Sequence, residues 1–574
     1  MSAPMRFAPG ERCPLPTAAG VGIQGAIFAL APLVLVVAIT ARAGGQDDAY
    51  LSWAVFAALI IAGVLTALQA VRFGRVGAGH VLIMGTTPNF VAVSVLALQA
   101  GGPALLASLV VVSSLFYLAL ANWLPALRRV ITPIVSGTAL MLIAVAILPI
   151  AIGQMRQVQG DAPEAAAPVI ALVTLVVIIA MALRSGGVLR LWSPLIGIAF
   201  GCAAAAAFGA YDLAPLAEAA WFGIPAAGLA GFDLSPDAQF LALLPVFVVI
   251  TLVGAVKNIG DSIAAQQASQ RGVRATDFRS VQGSLNVNGL GVLLSGLAGT
   301  PPTTVYSATS VALMNLTGVA SRNVGYMVGV FLVALAFLPK LTSLLLAIPS
   351  AVLGTYILTA TGLLFAEGLR TISRDGLDFP KMVVVGISFA LGAGIEQQSV
   401  FADLIGGTWG PLLDNGMLIG SLTAVALTLF LDATNPRRPS RLKTDLGQAA
   451  FAEIDGFVGA AATRAGWDQG SADRLRSAAE ETLHSLMPNE QSAGDVPRLV
   501  LTVRPAGEVI ELEFVAAFDD ANLEDRLAHL EEEEDTDMAD NQLSMRLLGH
   551  YAAAVQHRKY FGLDVVAVQV RAHG

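Results

Sequence analysis

"LSGLAGTPPTTVYSATSVALMNLTG", residues Leu294–Gly318, is apolar at both ends and broken in the middle. The break holds two prolines, four threonines within ten residues, a tyrosine and two serines. A plain lipid-facing helix does not tolerate this, because backbone polar groups in hydrocarbon must be satisfied within the protein. A second stretch is built alike. "HVLIMGTTPNFVAVSVLALQ" (His80–Gln99) runs apolar, then Gly-Thr-Thr-Pro-Asn, then apolar again. Working outward from these two breaks organises the whole chain.

The class follows from composition. Of 574 residues, 55% are hydrophobic and 13% charged, with a mean hydropathy of +0.70. Soluble domains carry about 25% charged residues. Many apolar runs reach the length of about 20 residues that spans a bilayer. The chain therefore reads as a polytopic α-helical membrane protein and not as an enzyme. Cys13 and Cys202 stand far apart, in no metal-ligand spacing, so neither a disulfide framework nor a metal site is expected. The N-terminus has no basic stretch leading into a short apolar core with a cleavage site, so the first span is expected to be retained.

Apolar runs divided by Gly, Pro and charge place spans at 18–41, 50–71, 80–98, 103–122, 130–152, 167–184, 191–209, 240–268, 281–298, 304–318, 322–338, 342–366, 380–397 and 412–432. Charge fits this count. With the N-terminus cytoplasmic, inner loops carry most Lys and Arg, among them Arg72, Arg75, Arg271, Arg274, Arg370 and Lys381, while outer loops carry Arg42, Arg156 and Lys340. Both termini are then cytoplasmic. The two broken segments fall third in the first seven spans and third in the second seven. Interrupted segments at matching positions of two halves point to a transporter site between inverted repeats. A proline-rich break lets the backbone run extended to mid-membrane, where a half-helix starts with free N–H groups and its positive dipole end facing a ligand. Thr and Ser hydroxyls can cap such a start.

Several pieces together resemble the uracil/xanthine permeases, the nucleobase–ascorbate transporter family of the NCS2 type. They are "GIQGAIFALAPLVLVVAITARAGG", "MGTTPNFVAV", "GGPALLASLVVVSSLF", "VKNIGDSIAAQQ" and "NVNGLGVLLSGLAGTPPTTVYSATSVALMNLTGVASR". The resemblance implies a seven-plus-seven inverted repeat over residues 18–435. A core would comprise spans one to four and eight to eleven, and a gate spans five to seven and twelve to fourteen. It also implies a homodimer joined through the gate, proton-coupled transport of a nucleobase (xanthine, urate or uracil class), and a bacterial cytoplasmic membrane location. The pattern departs at three places. Lys257 stands where the family has a substrate-gripping carboxylate, Ala308 where a second Glu is common, and Gly25, beside Gln24, where a His is common.

The candidate substrate residues are Gln24, Thr87, Asn89, Phe90, Lys257, Asn258, Asp261, Tyr306, Ser307, Ala308 and Thr309. Lys257 and Asp261 lie four apart in an apolar run, on one helix face. They form either a structural ion pair or a coupling site with Asp261 as proton carrier. Gln24 and Asn258 offer both donors and acceptors, which base edges need, or else join helices. Tyr306 and Phe90 can stack on a flat ring or simply pack. Thr86, Thr87, Asn89, Ser307 and Thr309 act on substrate or as caps. Asn286 and Asn288 read as interhelical contacts, and Glu396 as an outer-end charge.

Residues 1–17 form a short cytoplasmic N-terminus. Residues 436–445 read as a polar linker, and 446–574 as a soluble cytoplasmic α/β domain. Its order of elements resembles the anti-sigma-factor type of histidine-kinase-like ATPase. "FDDANLEDRL" lacks the glycine phosphate loop, so a degenerate, non-catalytic fold is expected. "LSMRLLGHYAAAVQHRKY" reads as a helix, and "LEEEEDTDMAD" as a solvated charge run. No cofactor is implied. The expected partners are a small-molecule nucleobase or anion, protons, the lipid bilayer, a second copy of the chain, and a cytoplasmic regulatory protein at the C-terminal domain. No nucleic acid is among them. Two alternatives stay open: transport of a small organic or inorganic anion, and a membrane sensor signalling through the tail.

Overall fold

The computed structural model describes residues 5–122, 132–157, 162–186, 192–211, 216–217, 219–225, 231–232, 237–271, 276–373, 378–397, 415–434, 440–486, 498–506, 509–516, 548–560 and 563–572. The chain divides into two compact units, Met1–Arg271 with Ser280–Leu429, and Gly272–Arg279 with Phe430–Gly574.

The first unit is helical, and its elements follow the expected spans closely. In the first half these are α1 (Leu15–Ala43), α2 (Asp48–Ala70), strand β1 (Met84–Thr86), a 3-10 turn (Pro88–Phe90), α3 (Val91–Asn122), α4 (Pro133–Met155), α5 (Ala166–Arg184) and α6 (Ser193–Ala207). In the second half they are α7 (Ala238–Ala268), α8 (Phe278–Ala298), strand β2 (Thr303–Val305), α9 (Ser307–Thr317), α10 (Arg322–Ala336), α11 (Pro339–Leu346), α12 (Ser350–Ser373), α13 (Phe379–Gln397) and α14 (Gly416–Thr434). Among the described residues, eight helices are long and apolar enough to cross a bilayer. A ninth is added if α10 and α11, bent by 81°, count as one span. The protein is thus a multi-pass membrane protein.

Local chemistry explains the boundaries. Asp47 and Asp237 cap α2 and α7 by accepting from Tyr50 N (2.8 Å) and Phe240 N (2.8 Å). Expected spans three and four run on as α3, but Gly101 and Gly102 break it, Gly102 with φ 69°. Pro103 follows and starts the second limb. The span expected at 342–366 divides instead, into α11 and α12, because Pro339 opens the short helix and Pro349 precedes the long one.

Glycines set the closest helix crossings. A Cβ on Gly63 of α2 would meet the Gly329 carbonyl oxygen of α10, and one on Gly329 would meet that of Gly63. Gly137 of α4 and Gly368 of α12 stand in the same reciprocal relation. Such small-residue contacts let backbones approach and drive packing where lipid removes the hydrophobic force between helices. Across the halves, Gly289 and Gly296 of α8 admit Leu118 and Val111 of α3. Some large apolar side chains lie on the outside, while others such as Phe90, Phe247 and Leu33 are buried. Leu172 is 60% and Leu363 72% exposed, as befits a lipid-facing surface.

In the second unit, β3 (Ser440–Asp445), β4 (Arg498–Ala506), β5 (Val509–Ala516), β7 (Leu563–Arg571) and β6 (Ala554–Tyr560) form one antiparallel sheet in that order. Helices α15 (Gln448–Arg464) and α16 (Gln469–Leu486) share its core. On one face of the sheet Leu499, Leu501 and Val503, then Ile510, Leu512 and Phe514, are buried against Ile454, Val458 and Leu483. Two expectations change. Ser440–Asp445, the end of the expected linker, is a strand that pairs with β4 over six residues. The expected helix to Tyr560 gives way after Tyr551, and Ala554–Tyr560 pairs with β7. Cross-strand contacts such as Val555 with Val568 override the local helical preference of the alanines. The acidic run Leu530–Asp540, the "FDDANLEDRL" segment and several loop arginines, including Arg128, Arg129, Arg274 and Arg374, lie outside the described residues.

Candidate functional site

The two breaks meet. β1 and β2 pair antiparallel, with Met84 opposite Val305, Gly85 opposite Thr304 and Thr86 opposite Thr303. Three residues per strand is little sheet, so side chains reinforce it. Thr87 Oγ1 and Thr304 Oγ1 lie 3.1 Å apart in a hydrogen bond. Met84 N donates to Thr66 Oγ1 (2.9 Å) and Thr303 N to Ser295 Oγ (3.1 Å), which satisfies the outer strand edges from α2 and α8. Tyr306 N donates to Ile83 O at 2.8 Å, and the Tyr306 hydroxyl donates to Thr86 O. The Tyr306 ring lies where a Cβ on Gly85 would stand, so this glycine is required for close approach.

Beyond Tyr306 the half-helix α9 begins. Tyr306 makes no side-chain cap bond to it. The first amides of a helix have no intrahelical acceptor, so an uncapped start leaves donors and partial positive charge for a ligand. A cavity of about 160 Å³ opens there. Ala308, Thr309 and Ala312 of α9 form one wall, and Phe28, Ala31 and Leu35 of α1 a second. The remaining walls come from the start of α6, through Pro194 and Leu195, and from Tyr356 of α12. Phe28 is held edge-on by Trp192, with ring centroids 5.3 Å apart. Among the described residues, Thr309 and Tyr356 are the polar side chains that line it, and no carboxylate does.

The sequence candidates divide around this cavity. Ala308 and Thr309 line it. Ser307 starts α9. Gln24 is half-buried one turn before Phe28 on α1, but is not a lining residue. Thr87, Asn89 and Phe90 are buried at the other break, with Phe90 against Gly254 of α7. Lys257 Nζ and Asp261 Oδ2 form an ion pair at 2.7 Å on α7, with side chains 19% and 11% exposed. The Asn258 amide donates to the Tyr117 hydroxyl and so ties α7 to α3. These three α7 residues do not line the cavity. Outside the candidates, Asn286 donates to Arg75 O (2.7 Å), and Glu396 accepts from Gly416 N (3.0 Å) at the start of α14. Sequence reasoning missed Phe28, the α6 wall and Tyr356. Phe28 alone carried a signal, its spacing of four from Gln24. Tyr356 is one aromatic in an apolar run, and only packing brings it to α9.

The profile of the xanthine/uracil-type Permease family matches residues 17–401, the whole stretch that carries both breaks and the cavity. The chain belongs to this family. Among curated relatives, the permease is 28% identical to the nucleobase transporter PlUacP of Paenibacillus larvae, over 71% of this chain and 93% of the relative. It is 27% identical to the xanthine permease XanP of Escherichia coli, over 73% and 93%. It is 26% identical to the uric acid permease PucK of Bacillus subtilis, over 72% and 95%.

Proposed function

We propose that this permease is a secondary transporter of a nucleobase of the xanthine, urate or uracil class, and that the substrate sits in the cavity at the start of α9. The observation that carries this is an uncapped half-helix terminus opening into a cavity of about 160 Å³, in a chain of the permease family. Phe28 and Tyr356 offer faces for a flat ring, and Thr309 with the first α9 amides offers hydrogen bonds. The cavity lies between α1 and α9, which belong to the expected core, and α6 and α12, which belong to the expected gate. Motion of core against gate exposes it to each side in turn. The gate joins two copies in a homodimer. The Lys257–Asp261 pair, largely buried in α7, carries the coupling proton through Asp261. The protein sits in the cytoplasmic membrane with both termini inside, and its C-terminal unit is a regulatory domain.

Binding stabilises a protein by mass action, by about 2.7 kcal/mol at a ligand concentration 100 times Kd. Thermal unfolding of the purified full chain with xanthine, urate, uracil and adenine tests the assignment. A rise with at least one oxo-base is expected, and no rise with any base overturns it. One observation favours a second reading, transport of a small anion: among the described residues none that lines the cavity is acidic, and a helix start lies at it. Stabilisation by bicarbonate, sulfate or a small carboxylate, without any by bases, would establish that reading instead.

A further inference from the structure

The segment Met5–Cys13, before α1, is bonded along almost its whole length. Arg6 N and Phe7 N both donate to Gly318 O, at 2.7 and 3.2 Å. Ala320 N returns a bond to Phe7 O (2.8 Å), and Arg322 N one to Pro9 O (3.4 Å). Ser321 Oγ donates to Glu11 O (2.6 Å), and Asn323 Nδ2 to Cys13 O (3.3 Å). On its other side Arg271 donates to Met5 O (3.3 Å) and Arg6 O (3.0 Å), and pairs with Glu11 Oε2 at 2.7 Å. The same carboxylate oxygen accepts from Ala8 N at 3.0 Å.

Two elements end at this segment. Gly318, in the left-handed region at φ 67°, is the C-cap of α9. The last carbonyls of a helix lack intrahelical donors, and here the segment supplies donors just past the helix end. Arg271 follows the end of α7, the helix of Lys257 and Asp261. We propose that Met5–Cys13 is a strap that couples the far ends of α7 and α9 and thereby positions the α9 start at the cavity. This rests on the assignment of that start as the substrate site. The lever is short. Eleven residues of helix measure about 16 Å, so a 2 Å slip at Gly318 tilts α9 by roughly 7° and re-aims its first amides.

The ion pair is the part of the strap that a conservative substitution removes. The Ala8 N–H, and then Arg271, hold the Glu11 carboxyl below its usual range, so Glu11 is charged at neutral pH. Its contribution is present above the ordinary carboxylate pKa and is lost as pH falls through the lowered one.

The test uses the full chain with Cys202→Ser, so that Cys13, 4% exposed at the end of the strap, is the remaining thiol. In Glu11→Gln and in Arg271→Gln, maleimide labelling of Cys13 and hydrogen exchange of the α9 amides should both rise about two- to fivefold, the range an exposed ion pair supports. The KM for a transported base should rise by a similar factor with an unchanged maximal rate per folded protein. The swap Glu11→Arg with Arg271→Glu re-forms the ion pair but not the Arg271 bonds to Met5 O and Arg6 O or the Ala8 N bond, so it should recover part of each change. Faster labelling with unchanged α9 exchange would overturn the proposal, as would unchanged labelling. Both readouts are independent of substrate, so they hold even if no base binds, which would count against the nucleobase assignment alone. Altered exchange with an unchanged KM would show a strap that does not position the site.

Discussion

Gly85→Ala probes the joint between the two breaks directly. The added methyl would stand inside the Tyr306 ring, whose Cε2 and Cδ2 are its nearest neighbours. The ring cannot simply swing away, because its hydroxyl donates to Thr86 O and its backbone amide to Ile83 O. Overpacking of this kind costs about 1–3 kcal/mol. If the ring is expelled, the hydroxyl bond goes too, for about 1 kcal/mol more. The expected loss is therefore about 2–4 kcal/mol, with α9 displaced because Tyr306 immediately precedes it. Thermal unfolding in detergent and uptake in vesicles are the assays. Tyr306→Phe keeps the ring and removes the hydroxyl bond, so it should cost about 1 kcal/mol. Gly85→Ala with Tyr306→Ala should be less damaging than the sum of the two single changes, since residues in contact do not add. Full uptake and unchanged unfolding by Gly85→Ala would show that the ring does not lie against β1 and that the joint is wrongly described.

Four further outcomes are expected. Asp261→Asn should abolish proton-driven uptake while leaving substrate exchange across the membrane, because an amide beside Lys257 cannot take up and release the coupling proton; normal uptake against a gradient would remove Asp261 from coupling. Lys257→Met should leave binding of xanthine and urate little changed while impairing proton-driven uptake, since Lys257 does not line the cavity and pairs with Asp261 at 2.7 Å; weakened base binding would place the ammonium in the site. Arg42→Gln should alter the maximal transport rate more than KM, since Arg42 donates to Leu346 O (2.5 Å) and Ile348 O (3.2 Å) and so fastens α1 to the junction of α11 and α12; identical kinetics would make that contact incidental. The soluble fragment 440–574 should unfold cooperatively and hydrolyse no ATP, whereas 446–574, deprived of β3, should be less stable; equal stability would deny β3 a place in the sheet.

Much of this protein is legible in its sequence alone. Bilayer chemistry imposes long apolar runs, so class and span positions follow from composition and length. The breaks at Pro88 and Pro301–Pro302 announce themselves because hydrocarbon forbids them elsewhere. The Lys257–Asp261 pair follows from a spacing of four on one helix. These are local properties, set within a few turns of chain. What only the tertiary structure decided is non-local. It joined the breaks as paired strands, with the Tyr306 hydroxyl on Thr86 O across 220 residues. It turned Asn258 to Tyr117, 141 residues away. It brought Phe28 and Tyr356 to the start of α9, and made strands of Ser440–Asp445 and Ala554–Tyr560. Helical and strand periodicities say which face of an element is apolar. They do not say which distant element covers it, because that depends on close packing of shapes whose parts lie far apart along the chain.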